Sequence, residues 1–202
     1  QDNELLTISI IPVGTLLFID MLVVSYIFYV YGILVHEAEQ EWLADRAYHD
    51  ELCGTYNRTK CNERFDELDA GNTEYALINM DLNGLKTIND SLGHVQGDLL
   101  LQEFAAILQK AFSGIGEVFR MGGDEFLVLI CEKQFPQIDQ CLNKMVRLEK
   151  RRSSELTFHI EAAYGVAKSS ECPKEGIQKV YMLADKRMYD MKTKQKINQR
   201  LR

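Results

Sequence analysis

The hydrophobic pattern begins with one long apolar stretch. Residues 5–35 read LLTISIIPVGTLLFIDMLVVSYIFYVYGILV, with Asp20 as the only charge. This stretch exceeds the roughly 20 apolar residues that a helix needs to cross a bilayer, so it predicts a transmembrane helix, most simply at 14–35 within a membrane segment at 1–35. A buried soluble helix is the alternative, but an apolar stretch without a polar face needs much surrounding protein to bury it. Asp20 at membrane depth costs about 3 kcal/mol unless it faces other helices, which favours a bundle or a dimer.

A helical connector is predicted to follow, over residues 36–52. Its apolar positions form an irregular helical stripe: Trp42, Leu43, Ala47 and Tyr48. A short coiled coil is one alternative at this length. The flanking charges do not indicate an orientation, because HEAEQEWLADR holds a single Arg. The chain starts with the acidic QDNE, which disfavours a signal peptide; the missing initiator Met is compatible with a fragment of a longer protein.

Beyond the connector, helical and strand periods alternate. Helices are predicted at 57–71, 97–112, 136–151 and 174–192, the first of them ended by Gly71. Strands are predicted at 74–82, 116–121, 125–132 and 156–168. Gly122 and Gly123 separate the second and third strands, which is a strong hairpin signal. Mixed units of this kind predict a sheet with helices packed against it.

Composition narrows the possible classes of protein. The 202 residues are 46% hydrophobic, which is enough for a buried core. The net charge of -7 argues against a protein that coats nucleic acid through its phosphates. The five cysteines are odd in number and contain no C-x-x-C pair, so neither a disulfide framework nor a zinc site is indicated. Reduced thiols in a cytosolic domain are the simplest interpretation.

The strand predicted at 74–82 leads into an acidic loop that contains glycine. Asp81 lies at its carboxyl end, and the run DLNGLKTINDSLGHVQGD continues from there. The backbone N–H groups of Gly84 and Leu85, with Lys86 beside them, are suited to hold phosphate oxygens. This segment alone resembles many loops, so it indicates a phosphate cradle only in combination with other motifs.

The run RMGGDEF supplies two further acids. If its hairpin lies beside the strand that carries Asp81, then Asp124 and Glu125 approach that strand and three carboxylates converge. Such acids repel one another unless a divalent cation lies between them, and Mg²⁺ prefers oxygen ligands of this kind. Two such ions activate an attacking hydroxyl and stabilise the leaving oxygen in phosphoryl or nucleotidyl transfer.

Four ordered motifs resemble those of the GGDEF-domain diguanylate cyclases, which join two GTP molecules into cyclic di-GMP. The GGDEF signature is complete, and the segment at 81–98 has the spacing of the family's metal- and guanine-binding segment. DELCGTYNR is similar to the family's opening signature, with Cys53 and Thr55 as departures. ADKRMYDMK resembles its closing helix. The resemblance covers about residues 45–196.

The resemblance implies an α/β fold, an α+β sandwich with a central, mainly antiparallel sheet flanked by helices, like the palm of nucleotide cyclases and polymerases. The catalytic domain would occupy 53–196, followed by a basic tail at 197–202. In the implied reaction, each GTP 3'-hydroxyl attacks the α-phosphate of the other GTP across a homodimer. Because GTP is cytoplasmic, the domain is expected on the cytoplasmic side of the inner membrane, anchored by the N-terminal helix. Nucleic acid is not an expected partner.

The resemblance also implies a role for each site residue. Catalysis would fall to Asp81, Asp124 and Glu125. Two Mg²⁺ or Mn²⁺ ions per active site would be held by Asp81, the Leu82 carbonyl, Asp124 and Glu125. Guanine would be read by Asn89 and Asp98, since a carboxylate accepts from the N–H groups of the base. The phosphates would be bound by Gly84, Leu85, Lys86, Lys192 and Lys196. The family commonly has Gly-Arg where this chain has Gln195-Lys196, so the charge is kept and the bidentate grip is lost.

Alternatives remain at this point. Asp98 after Gly97 suits a helix N-cap, and Lys192 and Lys196 suit a helix C-terminus. A catalytically silent GGDEF module that binds GTP or a protein partner is a competing function, although silent members typically lose the acids or guanine-reading residues that this chain retains. A different nucleotidyl cyclase is a second rival, and Asn89 with Asp98 favours guanine.

One regulatory motif of the family is absent. Many members carry an inhibitory Arg-x-x-Asp site five residues before the signature, where this chain has Ser113 and Gly116. Two small uncharged residues do not clamp a guanine and phosphate ligand as Arg and Asp do. We therefore expect no product inhibition through that site.

Overall fold

The computed structural model describes the backbone of residues 2–71 and 73–200, and the side-chain environments of 14–40, 42–43, 46–71 and 73–198. The chain divides into two compact units, Gln1–Arg46 and Ala47–Arg202. The described residues of the first unit belong to one helix, α1, Asp2–Tyr48.

α1 contains one stretch, Gly14–Gln40, that is long and apolar enough to cross a membrane, with a mean hydropathy of 2.0. The helix is continuous, so the expected boundary between membrane segment and connector lies inside it. The connector helix ends at Tyr48 rather than at residue 52. It ends there because Asp50 Oδ1 accepts the backbone N–H groups of Leu52 (3.2 Å) and Cys53 (2.9 Å), which turns the chain.

The second unit contains a five-stranded sheet and five further α-helices among its described residues. The strands are β1 Tyr56–Asn57, β2 Tyr75–Leu82, β3 Gly116–Gly122, β4 Glu125–Cys131 and β5 Ala162–Lys168. The helices are α2 Arg58–Ala70, α3 Leu85–Leu92, α4 His94–Ala111, α5 Ile138–Glu155 and α6 Ile177–Arg200. Short 3-10 turns occupy Glu132–Gln137 and Ser169–Glu171.

The strand order is β1-β3-β4-β2-β5. β2 is antiparallel to both β4 and β5, β3 is antiparallel to β4, and the short β1 is parallel to β3. The expected α/β sandwich with a mainly antiparallel sheet is therefore confirmed.

β2 lies inside the sheet, between β4 and β5, and its residues, YALINMDL, are buried along the whole strand. Alternate side chains point to opposite faces of a strand, so one set meets each helical layer. Ala76, Ile78, Met80 and Leu82 pack in the core shared with α3, α4 and α5. Tyr75 and Leu77 pack in the core shared with α2 and α6. Asp81 follows the second set and is thereby directed to the α2 and α6 face.

Within the second unit, three elements differ most from the predicted boundaries. β5 starts at Ala162 rather than at residue 156, since the N–H of Ile160 bonds Ser153 Oγ (2.8 Å) instead of a neighbouring strand. α3 occupies a segment that we expected to be a loop. α6 continues to Arg200, so residues 197–200 of the expected tail are helical; Lys, Gln and Arg after Lys192 are good helix formers and no Gly or Pro interrupts them.

A buried acid on α5 is expected to make stability depend on pH. Glu149 is only 5% exposed, and burial raises the pKa of its carboxyl to about 7, although it accepts the N–H of Ala162. A folded-state pKa above the unfolded value of 4.5 means that the folded chain binds this proton more tightly, so stability falls as pH rises from 5 to about 7. The resulting loss is about 2 kcal/mol between pH 5 and 8.

We expect Glu149→Gln to flatten this slope, because the amide does not ionise and still accepts from Ala162. The measurement is urea unfolding of the full chain in detergent at several pH values. Asp50, Glu63, Glu155 and Glu171 have lowered pKa values, so their own losses of stability occur at more acidic pH. An unchanged slope in the variant would show that Glu149 titrates normally.

Candidate functional site

The RMGGDEF run forms the predicted hairpin, with Gly123 and Asp124 as the two residues of the turn between β3 and β4. Gly122 and Gly123 adopt φ values of 141° and 55°, which L side chains rarely adopt. A bulge between Arg120 and Gly122 shifts the register there. The glycines therefore make the bend, and the first acid of the signature lies at its tip.

Arg120 holds this turn in place. Its Nε and Nη2 donate to the carbonyl oxygen of Gly123 at 3.2 and 2.9 Å. Its Nη1 donates to both carboxylate oxygens of Asp50 at 3.0 and 3.1 Å. Hydrogen bonds from Cys53 and Arg120 overcome the effect of burial and lower the pKa of Asp50. The opening and GGDEF signatures are thus joined by one guanidinium, which the sequence reasoning had not assigned.

Two of the three predicted acids lie opposite each other in the sheet. Asp81 at the end of β2 is the direct partner of Glu125 at the start of β4, so both side chains leave the same face. The N–H of Leu82 donates to the carbonyl oxygen of Asp124 at 3.0 Å. The hairpin consequently brings its acids to the end of the Asp81 strand, as the sequence predicts.

A lysine from α6 neutralises Asp81. Lys192 Nζ donates to Asp81 Oδ1 at 2.5 Å, and the two side chains are only 24% and 12% exposed. Because both groups are largely removed from water, each depends on the other for its charge compensation. Lys192 was expected to face phosphates and not an acid.

The donor set fits a hard divalent cation. Carboxylates at 81, 124 and 125 and a main-chain carbonyl at 82 are oxygen donors of the kind that Mg²⁺ and Mn²⁺ prefer. Among the described residues, however, no three His, Cys, Asp or Glu side chains already form a group that could hold a metal ion. The expected convergence of three carboxylates is therefore not seen in the side-chain positions, and metal ligation by these residues stays a prediction.

A cleft of about 340 Å³ opens beside this strand end. It gathers all five predicted phosphate-binding residues with two residues of the predicted metal site. The lining is Leu82, Asn83, Gly84, Leu85, Lys86, Thr87, Asp124, Lys192, Gln195 and Lys196. Gly84 is the N-cap of α3, so the first N–H groups of that helix have no partner within the helix. Three lysines and a helix N-terminus around one cleft favour an anionic ligand with several phosphate oxygens.

Two polar residues of this cleft, Asn83 and Gln195, are not among the predicted site residues. Asn83 follows β2 directly, and Gln195 lies on α6 between the two phosphate-binding lysines. Their side chains are hydrogen-bonded to each other at 3.0 Å. The only sequence signal was that Gln195 departs from the family's usual glycine.

The two residues expected to read guanine lie on neighbouring helices. Asn89 of α3 is half-buried, and its side chain lies directly against Gly97 of α4, where an added Cβ would come within 1.9 Å of Asn89 Oδ1. Asp98 is the next residue and is exposed. The N-cap interpretation of Asp98 is wrong, since α4 begins at His94 with Gly93 as its N-cap. Asp98 thus has no capping role, and its carboxylate lies one turn into the helix.

A larger cleft of about 550 Å³ lies at the other end of β4, near Cys131. It includes Gly116, one of the two positions of the family's inhibitory motif. A Cβ at Gly116 would lie 2.9 Å from the Leu129 carbonyl oxygen and from Val128 Cγ1, so the backbone here is packed too closely for a side chain. An acid at this position would require the strand to shift.

Known proteins match the chain over the region that contains these residues. The sequence profile of the family described as "Diguanylate cyclase, GGDEF domain" matches residues 47–198. Diguanylate cyclase DgcS of Shewanella oneidensis is 27% identical over 163 residues, which cover 79% of this chain and 54% of DgcS. The probable diguanylate cyclase DgcI of Escherichia coli is 30% identical over 147 residues, which cover 72% of this chain and 31% of DgcI. The chain thus spans about half or less of the length of these relatives.

The fold is also similar to solved structures. The coiled coil and GGDEF domain of DgcB from Caulobacter crescentus, solved in complex with c-di-GMP, superimposes with a TM-score of 0.69. The match covers 81% of this chain and 90% of the DgcB chain, at 22% sequence identity. At this identity the likeness shows a common fold.

Proposed function

The chain belongs to the GGDEF family of diguanylate cyclase domains, and from this we propose that it condenses two GTP molecules into cyclic di-GMP and two pyrophosphates. The observation that supports this most is the cleft beside the signature turn, which is lined by Asp124, three lysines and the N-terminus of α3. An acid beside several phosphate-binding groups is suited to a nucleotide and its counter-ions.

In the proposed reaction, the 3'-oxygen of each GTP forms a bond to the α-phosphorus of the other, and the bond from that phosphorus to the pyrophosphate oxygen breaks. Mg²⁺ or Mn²⁺, held by Asp81, Glu125 and the Leu82 carbonyl, would supply charge neutralisation for the leaving group. Asp124 at the turn tip would join that set or take the proton of the 3'-hydroxyl. Lys86, Lys192 and Lys196 would bind the triphosphate and orient it.

Base selection would depend on α3 and α4. Asn89 and Asp98 provide an amide and a carboxylate to complement the polar edge of guanine. Adenine presents a different pattern of donors and acceptors and would leave the acid without its partners. Asn89 and Asp98 therefore favour GTP as the substrate, and disfavour the rival function of a cyclase that acts on a different nucleotide.

Each domain holds one GTP in this proposal, so catalysis requires a homodimer with two sites facing across a two-fold axis. The stretch Gly14–Gln40 would anchor the protein in the inner membrane with the catalytic domain in the cytoplasm, where GTP is found. The helical connector would pass the spacing of the paired membrane helices to the domains.

The direct test is incubation of the full 202-residue chain in detergent with GTP and Mg²⁺, followed by chromatography of the products. We expect cyclic di-GMP and pyrophosphate in a 1:2 ratio, and no cyclic product from ATP. GTP binding without any product would instead support a silent module. A cyclic product from ATP at a similar rate would support the other nucleotidyl cyclase.

Gly97→Ala is expected to weaken GTP use by displacing Asn89. The new Cβ cannot lie 1.9 Å from Asn89 Oδ1, so the amide must leave its position. Loss of one hydrogen bond to the base corresponds to about a fivefold higher KM for GTP. Steady-state kinetics measure the KM, and thermal unfolding checks that the helix pair remains folded. A wild-type KM in a folded variant would show that Asn89 does not contact the substrate.

A further inference from the structure

We propose that Gln195 is a positioning residue that fixes the phosphate-binding lysines of α6 against the loop that follows β2. The proposal deepens the proposed function and depends on it for the identity of the ligand. The contacts themselves belong to the folded chain without any ligand.

Gln195 is bonded at both ends of its amide. Its Oε1 accepts from Asn83 Nδ2 at 3.0 Å. Its Nε2 donates to the carbonyl oxygen of Ala162 at 3.2 Å and lies 3.5 Å from Glu161 Oε1. The side chain is half-buried, so these bonds are partly shielded from water. One amide therefore joins α6 to two segments that are distant in sequence.

The segments joined by Gln195 are also tied to each other. The backbone N–H of Asn83 donates to the carbonyl oxygen of Glu161 at 2.9 Å. Asn83 is thus held by its main chain to the start of β5 and by its side chain to α6. Gly84, the next residue, is the N-cap of α3, so the position of Asn83 determines where the phosphate-binding N–H groups lie.

The bond between Gln195 and Asn83 matters for substrate binding because Gln195 lies between two lysines of α6 that line the cleft. Lys192 lies almost one turn before it and Lys196 directly after it, and all three line the 340 Å³ cleft. A lysine amine is a flexible point charge, in contrast to the planar fork of arginine. Fixing the helix beside two lysines reduces the freedom that GTP binding would otherwise have to remove.

The test uses three variants: Gln195→Ala, Asn83→Ala and the double variant that carries both changes. The control is Asn198→Ala, which removes an exposed amide from the same helix as Gln195. The first readout is amide hydrogen exchange of residues 83–87 in the nucleotide-free full chain. The second is titration with a non-hydrolysable GTP analogue and Mg²⁺, together with KM and kcat for GTP.

We expect Gln195→Ala to speed exchange at 83–87 and to weaken analogue binding and raise KM about five- to tenfold, with kcat changed less than twofold. Asn83→Ala should change both readouts in the same direction by an equal or smaller amount, because it removes the bond between Asn83 and Gln195 but leaves the bond from Gln195 to Ala162. The double variant should be no worse than Gln195→Ala, since that single change already removes both bonds. Asn198→Ala should match the wild type.

Wild-type exchange in Gln195→Ala would overturn the inference, as would effects of the two single variants that multiply in the double variant. These outcomes are separate from failure of the proposed function. A wild-type chain that binds no nucleotide or forms no cyclic di-GMP refutes the function, whereas the exchange measurement still decides whether Gln195 positions the loop.

Discussion

Asp124→Ala is expected to reduce cyclic di-GMP formation by about a thousandfold or more, the scale found when a group acting on the reacting atoms is removed. Asp124 lies at the tip of the signature turn and lines the phosphate cleft. Asp124 is the one acid among the described residues that line this cleft, whereas Asp81 and Glu125 lie beside it at the ends of their strands.

The fold of this variant should persist, since the contact that joins the turn to β2 uses the carbonyl oxygen of Asp124 and not its side chain. The measurement is product formation from GTP by chromatography, with circular dichroism as the folding check. Asp190→Ala, which removes an exposed acid from α6, is the matched control and should retain full activity. Activity within tenfold of the wild type would exclude Asp124 from the chemistry.

Lys192→Met is expected to have the second-largest effect, on both stability and cation binding. Removal of one partner leaves the Asp81 carboxylate, 12% exposed, without compensation. Breaking a buried pair costs about 3–5 kcal/mol, and the partial exposure of this one reduces the expected loss to about 2–3 kcal/mol. A divalent cation should recover much of that loss if Asp81 is a metal ligand as proposed, because the ion would then replace the positive charge of the lost amine.

The measurement is thermal unfolding of the nucleotide-free chain with and without Mn²⁺, which gives the stabilisation that the ion provides. The stabilisation by Mn²⁺ should be larger in Lys192→Met than in the wild type, and Mn²⁺ affinity, measured by electron paramagnetic resonance, should rise. Lys186→Met, an exposed charge on the same helix, should change neither quantity. Equal Mn²⁺ stabilisation in wild type and variant would show that Asp81 is not a metal ligand.

Together, these two results would show how the site differs between the nucleotide-free protein and the protein with metal and nucleotide bound. Lys192 lines the phosphate cleft while its amine is bound to Asp81. Binding of a metal and nucleotide would free the amine from the acid and offer it to a phosphate. The ion pair would thus compensate the charge of Asp81 until substrate arrives, at little structural cost, since only one flexible side chain moves.

Much of the fold was predictable because its signals are local. The uniform burial of β2, the glycine turn between β3 and β4, and the apolar stretch of α1 each follow from neighbouring residues, whose period or turn chemistry is visible in a short window. The motif order identified the family for the same reason, and the profile match over residues 47–198 confirms it.

α3 and the true start of β5 could not be predicted, because packing and hydrogen bonds decide both of them and the local apolar pattern does not. Leu85, Ile88 and Leu92 have helical spacing, but α3 has only eight residues between Gly84 and Gly93, which is too short for a helix that is stable alone. It is stabilised in the fold by packing against α4. At 156–161 the apolar pattern looked like a strand, but the Ser153 hydroxyl bonds the N–H of Ile160 and the ladder to β2 begins only at Ala162.

The sequence by itself determined the family, the acids at the strand end and the glycine turn that carries Asp124. Only the tertiary structure decided which side chains pair with one another around this site. Lys192 meets Asp81 across 111 positions, Gln195 meets Asn83 across 112, and Arg120 meets Asp50 across 70. Such pairs leave no periodic trace in the chain, because they depend on how helices and strands pack and not on the spacing of residues along either element.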